Sequence, residues 1–330
     1  MGTNHSYDWE IAKDFLQRLF KRYPNIHVSI SGGEPTLSPF FPELVKLFYD
    51  NGHTVGITSN AARSVSYWEE ISPYLSYICF SYHPSHEDPN FLEKALAASE
   101  KTQVSIRVMM DSRYWDKSYD FFNKVLNLNK FSVESVKILP EMASRHVGDS
   151  YTQEQLDWLA KGIRVDPATR QWQEIRKNNP GFKPATMSSS FYYDDGSVDL
   201  IGDSNYIVSS GQNDFRGWSC NIGIESLYIS FDGWIKKGNC MQGGILFHIN
   251  DHVNHKLPTT GEMCNQGICH CGTDVLITKT KIFDKNSEFV KHQGVQGMQV
   301  HTDEEYKNSF KQFFEKKTTK TTIKILPKNI

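Results

Sequence analysis

"SISGGEPTLSPFF" occupies residues Ser29–Phe41, directly after "IHV". An apolar, β-branched run of this kind reads as a strand, and the two adjacent glycines end it. Gly32 and Gly33 leave the backbone bare, so that a ligand can approach its amides and carbonyls closely. Glu34 then places a negative charge at the strand tip, suited to an ammonium group. A tight turn capped by its own carboxylate accounts for the same residues. The run lacks the G-x-G-x-x-G of a dinucleotide site, and no Gly-Lys-Ser/Thr follows to make a phosphate loop.

The segments on either side set the fold class. "WEIAKDFLQRLFKRY" places apolar groups at 11, 15, 16, 19, 20 and 23, a helical stripe with Asp8 as N-cap and Pro24 as stop. After "IHVSI", a helix is expected from Ser38-Pro39, with proline in its first turn, to Asn51-Gly52. "TVGITS", "YICFS", "QVSIRVMM" and "VESVKIL" read as further strands. "SYWEEISPYL", "NFLEKALAASEKT" and "SYDFFNKVLN" read as the helices between them. Thr152 and Gln155 form a capping box for "QEQLDWLAKGI". Regular strand–helix alternation implies parallel strands joined by right-handed crossovers. Both a partial (β/α) barrel and a doubly wound sheet satisfy it. The chain starts on a helix with no strand before it.

After residue 165 the pattern changes. "ATRQWQEIRKNNPGFKP" reads as polar and irregular, "FYYDDGSVDLI" as a hairpin turning at Asp195-Gly196, and "SLYISFDGWIKKG" as a second hairpin turning at Asp232-Gly233. "SFKQFFEKK" is expected as a closing helix and "TTIKILPKNI" as a strand or tail. The implied organisation is an α/β domain over 8–165, a connector with a hairpin over 166–215, a small cysteine-rich α+β domain over 216–285, and a C-terminal helix and tail over 286–330.

Composition narrows the function classes. The 330 residues carry a formal net charge of −2, with 38% hydrophobic and 22% charged residues. That balance does not indicate nucleic-acid binding. No run approaches the apolar length of a membrane span, and the N-terminus lacks a secretory pattern, so a cytoplasmic location is expected. Five of the six cysteines fall late: Cys220, Cys240, Cys264, Cys269 and Cys271. Clustered thiols in a cytoplasmic chain point to a metal site more than to disulfides. Thiolates suit an iron–sulfur cluster or zinc, and four are needed. Cys220, Cys240, Cys269 and Cys271 are the expected ligands, with Cys264 next. Cys79, inside "YICFS", reads as a buried strand thiol.

With those residues in view, the chain resembles the radical S-adenosylmethionine (radical SAM) enzymes over about residues 8–165. "GGEP" looks like their methionine-binding motif, and "ITSNA", "FSYHP" and "IRVMMD" follow at the tips of the next strands. The resemblance implies a partial (β/α) barrel. Gly32, Gly33 and Glu34 would hold the amino group of SAM, and Ser59, Asn60, Ser81 and Arg107 would face its ribose or carboxylate. "WSCNIGIESLYISFDGWIKKGNC" is similar to the start of the twitch or SPASM auxiliary domains that follow many such barrels. This implies one auxiliary [4Fe–4S] cluster.

The resemblance further implies reductive cleavage of SAM to a 5'-deoxyadenosyl radical. That radical abstracts hydrogen from a peptide or small-molecule substrate, with a flavodoxin or ferredoxin as electron donor. The family's C-x3-C-x2-C loop, which carries the SAM-binding [4Fe–4S] cluster, occurs nowhere in this sequence. The expectation is an N-terminally truncated form lacking the first strand and inactive in SAM cleavage. A degenerate binding or scaffold homologue, and an unrelated α/β protein with a structural zinc site, are the alternatives.

Overall fold

The Asp8 side chain accepts the Glu10 N–H at 2.7 Å and opens helix α1 (Trp9–Arg22), as the sequence pattern requires. The structure is a computed structural model. It describes residues 8–86, 88–138, 151–160, 164–165, 168–184, 188–192, 197–201, 207, 212–269, 271, 273–282 and 322–326. The turn at Asp195-Gly196, His270 and the expected helix "SFKQFFEKK" lie outside those residues. The chain divides into two compact units, one of Leu19–Ala185 and one of Met1–Arg18 with Thr186–Ile330. The division falls within α1.

The Leu19–Ala185 unit carries one sheet, ordered β1 (His27–Ile30), β2 (Thr54–Ser59), β3 (Tyr77–Tyr82), β4 (Gln103–Met110), β5 (Ser132–Lys137) and β6 (Arg164–Val165). The first five strands run parallel, and β6 is antiparallel to β5. Helices α2 (Phe41–Asp50), α3 (Val65–Ile71), α4 (Phe91–Ser99) and α5 (Trp115–Leu128) connect them. This is the arrangement of a partial (β/α) barrel, with β1 at one edge.

The two faces of this sheet differ. Along β4, Val104, Ile106, Val108 and Met110 are buried, while Gln103, Ser105, Arg107 and Met109 are half-buried. The buried row meets the helices. Trp68 of α3, for example, stacks edge-on against Phe80 of β3, with ring centroids 4.7 Å apart. A parallel sheet covered only by packing would be apolar on both faces. Here the second face holds Tyr77, Ser105, Arg107 and Glu134.

Two local expectations need correction. Glu34 caps a short 3-10 turn, Pro35–Leu37, so α2 starts at Phe41 and not at Ser38-Pro39. The segment read as irregular forms helix α7 (Ala168–Asn178), after α6 (Gln153–Leu159) with its full capping box. Ile175 is buried, and Trp172 donates from Nε1 to Gln103 Oε1 at 2.9 Å. Ala168, Trp172 and Ile175 make too narrow a stripe among eight polar residues to stand out in sequence. Tertiary docking supplies the rest of the stabilisation.

The other unit is β-rich. β7 (Ser188–Tyr192) and β8 (Val198–Ile201) pair antiparallel, as the first hairpin requires. The second hairpin pairs β10 (Tyr228–Ile229) with β11 (Trp234–Lys236), and β12 (Ile245–His248) extends it. A six-stranded sheet runs in the order β13 (Glu262–Met263), β9 (Trp218–Cys220), β14 (Lys279–Lys281), β15 (Thr322–Leu326), β7, β8. The early turns of α1 join this unit: Phe15 packs on Phe247 with ring centroids 6.0 Å apart, and Arg18 donates to the His255 carbonyl at 2.6 Å. Among the described residues, no helix is long and apolar enough to cross a membrane.

Candidate functional site

At the tip of β1, Gly32 and Gly33 have φ of +93° and +57°, a region where glycine has no steric penalty. Both are exposed, and a Cβ at either would meet nothing within 4 Å. Their backbone is therefore open to a ligand.

Glu34 is not open in the same way. Its Oε1 accepts from the Thr36 N–H at 3.1 Å and the Thr36 hydroxyl at 2.6 Å. Ser59 Oγ lies 2.9 Å from Oε1 and 3.0 Å from Oε2, and the Asn60 N–H reaches Oε2 at 2.7 Å. The carboxylate ties the β1 tip to the β2 tip. Arg63 adds two bonds from its guanidinium to the Thr36 carbonyl, at 2.9 and 2.6 Å. The structure thus brings Glu34, Ser59 and Asn60 together, but as one internally satisfied knot. Ser81, next to the end of β3, is the register partner of Arg107, which lies within β4 and not at its tip as expected. Arg107 Nε reaches Glu134 Oε2, on β5, at 3.1 Å. Thr36 and Glu134 were not legible as parts of this region.

In the second unit a cavity is lined by Cys220, Cys240, Cys264 and Cys269, together with Glu262, Asp274 and Lys279. Sheet register builds its floor: Cys220, at the end of β9, lies opposite Glu262 on β13 and Lys279 on β14. Residues in one row project to one face. Cys264 follows β13 and donates its N–H to the Trp218 carbonyl at 2.8 Å. Asn213 holds the Cys269 backbone from both sides, accepting at 2.8 Å and donating at 3.1 Å. The Cys240 N–H donates to Asp274 Oδ2 at 2.8 Å. Gly261 is required here, because a Cβ would come within 2.6 Å of the Cys220 carbonyl. Cys271 is not on the cavity wall, and its Sγ lies 3.0 Å from the Thr273 hydroxyl.

Burial dominates the electrostatics. It raises the Cys220 thiol, pushes Cys264 up to about 11, and pushes Cys240 and Cys269 up to about 12. The thiols are neutral at physiological pH, and a metal must displace their protons. Among the described residues, no three His, Cys, Asp or Glu side chains stand close enough to form a ready-made metal site. The donor types nevertheless suit a thiolate-bound metal, since four cysteines line one space. That space is about 10 Å³, enough for one water-sized body. Either group needs the walls to shift before the thiols can ligate it, a four-iron cluster more than a single ion.

No protein-family model matches the chain, and no curated protein matches it. Among solved structures, one of TYW1 with a lysine–pyruvate adduct bound is similar over 59% of this chain and 70% of that chain. The identity is 18% and the TM-score 0.30, a level of likeness that carries no argument about chemistry.

Proposed function

We propose that this chain is a radical-SAM-type protein with a metal–thiolate centre in its β-rich unit. The observation that carries the reading is the convergence of Cys220, Cys240, Cys264 and Cys269 on one cavity wall. They are the residues to hold an auxiliary [4Fe–4S] cluster, which supplies one-electron transfer when bound. In the α/β unit, the bare Gly32-Gly33 backbone receives the amino group of SAM, and Arg107 receives its carboxylate in exchange for Glu134. Glu34 braces the two strand tips that form this site. In a form that also holds the C-x3-C-x2-C cluster, the activity is reductive SAM cleavage and hydrogen abstraction from a peptide or small-molecule substrate.

A second reading, a structural zinc ion on the same four thiols, is favoured by the small cavity. Anaerobic purification with metal and acid-labile sulfide analysis separates the two. Iron and sulfide, with an electron paramagnetic resonance signal after dithionite reduction, support the cluster. Stoichiometric zinc without sulfide overturns it. Calorimetric titration with SAM tests the strand-tip site, and no heat of binding would remove the SAM assignment. These 330 residues are expected to yield no 5'-deoxyadenosine, because no cysteine precedes Glu34 and Cys79 is buried in β3. Catalytic amounts of that product would show that the cluster ligands lie elsewhere.

A further inference from the structure

The charged groups around the thiol cavity are not equivalent. Glu262 is paired with Lys237, and both side chains are largely buried. Lys279 is 1% exposed, and its ammonium donates to the carbonyls of Asp274, Val275 and Ile277 at 2.6, 3.1 and 3.0 Å. Its nitrogen also lies 4.7 Å from the Phe215 ring centroid. Three hydrogen bonds use all three ammonium protons, and among the described residues every partner is neutral. Carbonyl dipoles hold such a cation but do not cancel its charge, and a buried charge is costly until an anion faces it. Asp274, 3% exposed, presents its carboxylate to the Cys240 amide on the same wall.

A divalent metal on four thiolates carries two net negative charges, and so does an oxidised four-iron cluster on four thiolates. Loading the cavity therefore places anionic charge beside one buried cation and one buried carboxylate.

We propose that Lys279 is the residue that balances the charge of a metal–thiolate centre in this cavity, with Asp274 opposing it. The inference rests on the thiolate-site reading above and adds a sign to it. Removing the cation weakens metal binding, and removing the carboxylate strengthens it. A purely structural role for both residues gives the same sign for both, because either change then loosens the cavity.

The test is anaerobic titration of the full chain with Co²⁺, followed by the thiolate-to-cobalt charge-transfer absorption. Lys279→Met is expected to lower Co²⁺ affinity by about tenfold or more, and Lys279→Arg to stay within about threefold of the parent protein. Asp274→Asn keeps an oxygen for the Cys240 amide and is expected to raise affinity by about threefold or more. Circular dichroism and urea midpoints of the metal-free proteins check folding. If Lys279→Met does not fold, Asp274→Asn decides: tighter binding supports the proposal, and unchanged or weaker binding overturns it. If the parent protein shows no charge-transfer band, the thiolate site itself fails and takes the inference with it. If the parent protein binds and the variants match it, only the role of Lys279 falls.

Discussion

Glu34 and the late cysteines are the two most chemically suggestive groups in this chain, and the fold treats them in opposite ways. Both Glu34 oxygens already accept hydrogen bonds, from Thr36, Ser59 and Asn60. The cysteine cavity gathers four thiols whose burial keeps them protonated, beside a lysine whose charge, among the described residues, meets neutral carbonyls and an aromatic ring. The first is a finished hydrogen-bond knot, and the second is a donor set that gains most from an added cation. A charged residue in a glycine-rich turn is thus weak evidence of a ligand until its own bonds are counted. Thiols drawn from the end of β9, the β11–β12 connection and the segment after β13 onto one wall are stronger evidence, because local structure does not need them together.

The largest effect expected concerns which thiols belong to the cavity. Replacing both Cys220 and Cys269 with Ser should reduce bound metal from stoichiometric to background, whereas Cys271→Ser should keep the parent content. Metal analysis after anaerobic reconstitution measures both. Loss of metal in the Cys271 variant would return it to the ligand set and break the assignment by cavity wall.

Proton linkage sharpens the same comparison. The thiol pKa values are raised in the folded protein, so the unfolded chain loses protons first as pH rises. The stability that burial of neutral thiols contributes is fully present below pH 9 and is lost towards pH 11–12. For Cys240, Cys264 and Cys269 together this amounts to about 4 kcal/mol by pH 10 in the metal-free protein. Urea midpoints at pH 8 and pH 10 measure it. Metal binding should reverse the trend, strengthening as pH rises because protons are displaced.

On the other side of the comparison, Glu34→Ala should destabilise the α/β unit by about 2 kcal/mol, from several charge-assisted bonds lost at a half-exposed site. Glu34→Gln should cost about half as much. Denaturation followed by far-ultraviolet circular dichroism gives the values. Unchanged stability with lost SAM binding would make Glu34 a ligand and undo the contrast drawn above. The smallest effect is local: Thr152→Ala removes one side of a complete capping box and should cost about 1 kcal/mol, read by the same denaturation.

Much of this architecture is written in short-range chemistry. The apolar stripe of α1, the capping box of α6, the β-branched runs of β1 to β5 and the Asp232-Gly233 turn each act over a few residues. They were legible for that reason. Helix α7 was not, since its Trp172 and Ile175 become a face only when β4 lies beneath them. The start of α2 was misplaced because Glu34 captures Pro35–Leu37 into a 3-10 turn first. That capture depends on Ser59 and Asn60 at the next strand tip, some 25 residues on.

By itself the sequence determined the strand–helix alternation, the polarity of the chain, the presence of five late thiols and the absence of a C-x3-C-x2-C loop. Only the tertiary structure decided which four thiols share a cavity, that Glu34 is consumed by its neighbours, and that Lys279 and Asp274 stand with the cysteines. The physical reason is sequence range. Helix caps, turns and hydrophobic periods are set by residues within one or two turns of each other. Cys220, Glu262 and Lys279 meet through the register of three strands, and only the folded sheet aligns them.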